Sequence, residues 1–168
     1  DFQEQGVSLY FWLRRIAVNK ALDQHRSQER NGRALCGYAG MADVLLDQAP
    51  DGPVLKAGLI GCGGRGTGAA INFIDAGPNL QIVALGDTFQ DRVENCRAQI
   101  LKAKGQEVPL ENCFTGFDAY QKVIDSGVDI ILDCTPPYFR PKHIAAAVEA
   151  RKHVFAEKPV AVDPVGVR

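Results

Sequence analysis

From Val54 onward, short apolar runs alternate with longer segments whose apolar residues recur every three or four positions. VLKAGLI (54–60), QIVALG (81–86), VDIILDC (128–134) and HVFA (153–156) read as strands, with a further short strand near 113–115. Residues 64–76, 89–104, 117–126 and 139–150 carry the helical period between them. The strand runs have little polar alternation, as expected of strands covered on both faces. Strand and helix in strict alternation predict an α/β fold with a doubly wound parallel sheet. No repeat of solenoid period and no low-complexity stretch interrupts the pattern.

The first third of the chain has a different texture. Leu9, Phe11, Trp12, Leu13, Ile16, Ala17, Ala21 and Leu22 recur at helical spacing, so residues 1 to about 35 predict an amphipathic helix. Between Arg14 and Arg33 six basic residues face two acidic ones. DQAPDGP (47–53), with two prolines and an Asp-Gly step, reads as a linker. The expected organisation is a helical segment over 1–46, a linker over 47–53 and an α/β domain over 54–168.

Composition narrows the function classes. A net charge of −1 over 168 residues gives no field toward nucleic acid or membrane. No apolar run approaches the roughly 18 residues that span a bilayer, and no secretory signal is legible, so the expected location is cytoplasmic. Five cysteines, none in a CxxC pair, predict reduced thiols and no metal site. The sole methionine is Met41 and the first residue is Asp1, which reads as a fragment or processed piece.

The candidate chemistry starts at GLIGCGGRG. Gly61-Cys62-Gly63-Gly64-Arg65-Gly66 is a G-x-G-x-x-G that follows a predicted strand and opens a predicted helix. In that context Gly61 permits a tight turn, Gly63 lets a pyrophosphate approach the backbone, and Gly66 lets the helix pack on the strand. Amides at the helix start, with Gly64 and Arg65 among them, would hold the anion. Asp87 ends the second strand, 26 residues after Gly61. A carboxylate there would accept from an adenosine ribose diol and repel a 2′-phosphate, which favours NAD; Arg92, one turn on, keeps NADP open. The plain alternative is a structural turn with Asp87 as a helix N-cap. Thr135 and Pro136 end the fourth predicted strand and would line the same crevice. Pro137 is a strand terminator, and Tyr138 and Phe139 are core or lid aromatics. Glu157 and Lys158 follow the fifth strand at the same sheet edge. Lys158 could reach a substrate oxygen, or the two could form a surface ion pair.

GLIGCGGRG, Asp87, CTPP, His143 and AEKPVAVD together resemble the glucose–fructose oxidoreductase/inositol dehydrogenase/MocA family, over about Leu55 to Arg168. The resemblance implies a Rossmann NAD(P)-binding domain followed by a second α/β domain, and hydride transfer between a nicotinamide and a sugar-type secondary alcohol. Lys158 would contact the alcohol oxygen and the cofactor, Glu157 would help to position the cofactor, and Thr135 and Pro136 would line its groove. It also implies a small-molecule substrate and a homo-oligomer in the parent enzyme. Pro137 stands where the family often has Asn, so no Asn role carries over. The family's second domain, which supplies the acid–base partner, is missing, so this chain is expected to bind cofactor better than it turns over. His143 and His153 are expected to be structural.

Residues 9–33 resemble a fragment of an extracytoplasmic-function sigma factor, on Trp12, Leu13, Ile16, Ala17, Asn19, Leu22 and Asp23. Two such halves suggest a chimera. Promoter binding is not expected from so short a piece. The competing function is nevertheless a regulatory module, its basic helix joined to a nucleotide fold and showing salt-dependent DNA affinity. A third reading keeps the fold and binds nothing.

Overall fold

The computed structural model describes residues 54–77 and 79–167. The predicted basic helix, the linker and the sigma-factor resemblance lie outside the described residues.

Five strands form one parallel sheet: β1 (Leu55–Ile60), β2 (Leu80–Asp87), β3 (Cys113–Thr115), β4 (Ile130–Asp133) and β5 (His153–Ala156). Their spatial order is β3-β2-β1-β4-β5. The helices are α1 (Gly64–Asp75), α2 (Gln90–Lys104), α3 (Ala119–Asp125), α4 (Arg140–Glu149) and a four-residue α5 (Pro164–Val167). The chain runs outward from β1 through β2 to β3, then returns to lay β4 and β5 on the other side of β1. With right-handed crossovers, that reversal puts α1 and α2 on one face and α3 and α4 on the other. Accordingly α1 packs on α2, and α3 on α4. The reversal opens a crevice between the carboxyl ends of β1 and β4, where such sheets bind ligands.

The predicted α/β doubly wound sheet is therefore the fold, and every expected strand forms. The differences lie at element ends. β2 runs one residue further than expected, to Asp87, and α3 starts at Ala119 rather than 117. Glycine and aspartate at 116–118 favour a turn over a helix start, and Gly116 takes φ +103°.

Leu59, Ile82, Leu85, Ile130, Ile131 and Leu132 are all buried on the sheet. At about 1.5–3 kcal/mol for each fully buried aliphatic side chain, such residues dominate the favourable side of folding. Two strand glycines decide how closely α3 approaches. A Cβ on Gly58 would lie 2.4 Å from Val123 Cγ1, and one on Gly86 2.7 Å from Val123 Cγ2. Val123 thus seats in a notch that the two glycines leave in adjacent strands.

The β1–β2 register slips between Ala57 and Gly58, leaving Val83 bulged. Side chains satisfy the displaced backbone: Ile82 N donates to Gln106 Oε1 (3.0 Å), and Asn112 Nδ2 donates to Val83 O (3.0 Å). The slip sits in the first half of β2, so the pairing of Ile60 with Gly86 beside the crevice is regular.

Candidate functional site

The loop after β1 turns sharply at Gly61, whose φ is +93°. Its amide donates to Gly86 O (2.8 Å), tying the loop to β2. On its other side Gly61 lies against the Cys134–Thr135 peptide, and a Cβ there would come within 2.8 Å of Thr135 N. Gly66 packs under the same turn. These two glycines are demanded by the protein itself. Gly63 and Gly64 differ: a Cβ on Gly63 would meet only Arg92 Nη1, at 3.9 Å, and one on Gly64 would meet nothing within 4 Å. The open side of the loop is thus bare backbone. Gly63 caps α1 without a side-chain hydrogen bond, and no acidic residue occupies the first turn. The amides before Thr67, which donates back to Gly63 O (2.9 Å), have no acceptor within the helix. Bare amides of this kind can receive an anion.

Asp87 ends β2 beside this loop and is 9% exposed. Its carboxylate accepts from Cys62 N (2.7 Å) and Phe89 N (3.0 Å), so it braces the glycine loop from the side. A carboxylate has about four acceptor sites, and two are left for a ligand. The residue capping α2 is Phe89, with no side-chain cap bond, so Asp87 is not that helix's N-cap. The Arg92 guanidinium lies over the Phe89 ring, 5.1 Å from its centroid.

The facing wall comes from β4. Cys134 N donates to Ile60 O (2.8 Å), which carries the pairing with β1 into the crevice. Thr135 donates to Asp133 Oδ1 from both its amide (3.1 Å) and its hydroxyl (2.6 Å). Pro136 O accepts from Phe139 N (3.0 Å), making the turn into α4. Burial, with the nearby carboxylates of Glu157 and Asp133, pushes the Cys134 thiol up to about 12.

The third side follows β5. Glu157 N donates to Asp133 O (3.0 Å). The Glu157 carboxylate pairs with Arg65 of α1 rather than with its neighbour Lys158. Arg140, buried at 6% exposure, donates from Nη1 to the carbonyls of Glu157 (2.6 Å) and Pro159, on either side of Lys158. The Lys158–Pro159 peptide is cis. Lys158 itself is exposed at the crevice and makes no ion pair with a described residue.

These three sides enclose a crevice of about 520 Å³, the size of a small-molecule site. Of the residues singled out in the sequence, Gly61, Gly63, Arg65, Asp87, Thr135, Pro136, Glu157 and Lys158 line it. Gly66 lies buried beneath it, and Gly64 stands at the mouth of α1 outside the lining.

Residues 55–167 match the family model described as the GFO_IDH_MocA oxidoreductase family, NAD-binding Rossmann fold. The chain belongs to the Gfo/Idh/MocA family. It is 31% identical over 140 residues to a glycosyl hydrolase family 109 protein of Streptomyces niveus, covering 83% of this chain and 26% of that protein. It is 28% identical over 106 residues to the scyllo-inositol 2-dehydrogenase (NAD(+)) of Bacillus subtilis, covering 63% of this chain and 28% of that protein. Among solved structures it resembles a probable dehydrogenase from Thermotoga maritima, with TM-score 0.53 and 27% identity over 67% of this chain and 31% of the other. The chain spans about a quarter of the length of the curated relatives it matches.

Other residues that line or brace the crevice have weaker sequence signals. Arg140 was not singled out, because a guanidinium that binds two carbonyls leaves no spacing signature. Phe89 and Tyr120 also line the crevice, and so does His143, expected to be structural. A hint of His143 was present in sequence, since it sits one turn into α4 just after the strand-ending prolines.

Proposed function

We propose that this chain is the cofactor-binding part of an oxidoreductase that moves a hydride between a nicotinamide and a sugar-type secondary alcohol. One observation carries the reading: the bare glycine loop, the Asp87 carboxylate and the Lys158 ammonium converge on one crevice at the reversal of the sheet. The fit to a dinucleotide is supported by that loop, where two glycines leave open backbone facing outward while their two neighbours are packed solid.

Gly63, Gly64 and Arg65 would hold the pyrophosphate, Asp87 the adenosine ribose, and Thr135, Pro136 and Glu157 the groove beyond. NAD is favoured over NADP, because a 2′-phosphate would meet the Asp87 charge. When bound, the nicotinamide supplies the hydride acceptor or donor. Lys158 would hydrogen-bond the alcohol oxygen and assist loss of its proton. Arg140, by gripping the carbonyls on both sides, would keep Lys158 at its station. The sugar-type substrate is supported by the names of the inositol dehydrogenase and glycosyl hydrolase relatives.

Turnover belongs in this proposal to the whole protein, because the relatives are about four times as long as the matched part. The residues that choose the substrate, and an acid–base partner for Lys158, are to be sought in the portion this chain does not span. The division into 1–46, 47–53 and 54–168, and homo-oligomerisation of the whole protein, are parts of the same proposal. Among the described residues no helix is long and apolar enough to cross a membrane.

Calorimetric titration of the chain with NAD and with NADP tests the reading. Saturable NAD binding, weakened by Asp87→Ala and tighter than NADP binding, is expected. Absence of binding to either dinucleotide would overturn it.

A further inference from the structure

We infer that His143 is a positioning residue for the crevice: through Thr135 and Asp133 it latches the Cys134–Thr135 peptide that forms the wall against Gly61.

The argument begins with proton counting. Asp133 is fully buried, at 0% exposure, and its Oδ1 accepts both the amide and the hydroxyl of Thr135. Oδ1 already accepts the amide N–H, and a threonine hydroxyl has one proton to give. That proton goes to Asp133, over the short distance of 2.6 Å. Thr135 Oγ1 can therefore only accept from His143 Nδ1, 3.3 Å away, so Nδ1 carries the hydrogen. The same nitrogen lies 3.7 Å from Asp133 Oδ2. That oxygen is buried and has no hydrogen-bond partner among the described residues. The imidazole N–H thus serves the hydroxyl and faces the unserved side of the carboxylate from beyond hydrogen-bond range.

The ring is held for this task. Tyr120 stacks on it with centroids 4.5 Å apart and planes 22° apart, and Phe139 lies nearly parallel to it at 6.2 Å. Its buried position, at 7% exposure, makes loss of the N–H costly, because Thr135 and Asp133 would stay behind in a dry site. What the latch fixes is specific. The peptide it holds is the one Gly61 rests on, and Thr135, His143, Tyr120 and Phe139 all line the crevice. A ligand filling that space meets the latch directly.

The inference rests on the proposed function only for its cofactor arm, so two readouts are combined. In the full 168-residue chain, imidazole ¹⁵N NMR at neutral pH is expected to show His143 as the Nδ1–H tautomer. Calorimetry with NAD is expected to show about tenfold weaker binding for His143→Phe and Thr135→Val. Phe preserves the stacking without the N–H, and Val preserves the shape without the hydroxyl. Thr135→Ser, which restores the hydroxyl, is expected within about threefold of the unchanged chain. A Thr135 that acted through its shape alone would show no loss in Thr135→Val and no recovery in Thr135→Ser.

An Nε2–H tautomer overturns the latch, as does NAD affinity unchanged in Thr135→Val. Should His143→Phe fail to fold, the near-isosteric Thr135→Val carries the test. If the unchanged chain binds no dinucleotide, the proposed function falls. The tautomer, and the protection of the Thr135 amide from hydrogen exchange in Thr135→Val, then still decide the latch. Loss of that protection supports it and full retention overturns it.

Discussion

Arg65, in the first turn of α1, forms an ion pair with Glu157, at the end of β5, across 92 residues of sequence. The contact joins the glycine-loop side of the crevice to the segment that carries Lys158. The Arg65 side chain is 62% exposed, so the pair itself adds little to stability, on the order of 1 kcal/mol or less. Its value is a cation beside the open helix amides. Arg65→Ala is expected to change unfolding free energy by less than about 1 kcal/mol in urea titration. The same variant should weaken NAD binding about tenfold, through loss of a charge-assisted phosphate contact.

The glycines of the loop should separate cleanly by mutation. A Cβ on Gly66 would lie 1.8 Å from the Gly61 carbonyl oxygen, and Gly61 has positive φ as well as a crowded neighbour. Gly66→Ala and Gly61→Ala are each expected to destabilise by about 1–3 kcal/mol or more, and to abolish dinucleotide binding. Gly64→Ala has open space around it and should hold stability within about 1 kcal/mol of the unchanged chain. Thermal unfolding of the three variants side by side checks the ranking.

Arg140 should matter through Lys158. Removing its guanidinium leaves the carbonyls of Glu157 and Pro159 without that donor in a partly buried site. Arg140→Ala is expected to cost about 1–3 kcal/mol, and Arg140→Lys to recover only part, since one ammonium lacks the planar fork. Hydrogen exchange over 157–160 should rise in Arg140→Ala before it rises in β1.

Lys158 should affect chemistry more than binding. In a whole protein bearing this domain, Lys158→Met is expected to lower kcat by about 10²–10⁴-fold, the range of a lost general acid–base group. Stopped-flow recording of nicotinamide absorbance reads this directly. A kcat within twofold of the unchanged protein would remove Lys158 from the chemistry.

Cys134 gives a pH signature. Its thiol is raised from an ordinary 9.0 to about 12, first by burial and then by Glu157 and Asp133. The folded state keeps the proton where the unfolded chain releases it. This contribution is complete below pH 9 and is lost as pH climbs from 9 toward 12. Unfolding free energy should therefore fall in that window, by up to about 1.4 kcal/mol per pH unit from this group. Cys134→Ala should flatten that part of the curve. Iodoacetamide at pH 8 should label Cys134 only after unfolding.

Much of this was readable from one dimension. The alternation of apolar runs with helical periods specified the parallel α/β sheet, because strands buried on both faces cannot alternate in polarity. The glycine spacing and Asp87 located one wall of the crevice, because a tight turn, a backbone approach and an acid at a strand end each restrict residue type. The end of β4 and the Glu157-Lys158 step located the others, because residues at carboxyl ends of parallel strands share one edge.

Only the tertiary structure decided which partners those residues take. Glu157 stood beside Lys158 in sequence and pairs with Arg65 in space. Asp87 was read for a ribose and also braces Cys62 and Phe89. Arg140 had no pattern to announce it, and the position of His143 did not reveal its partners, since both depend on carbonyls and a hydroxyl that β4 and β5 bring alongside α4. The sequence by itself determined the elements and the candidate chemistry, through local periodicity and backbone permissiveness. Pairing, burial and hydrogen-bond direction were settled by packing, because they depend on distances between segments that no spacing along the chain encodes.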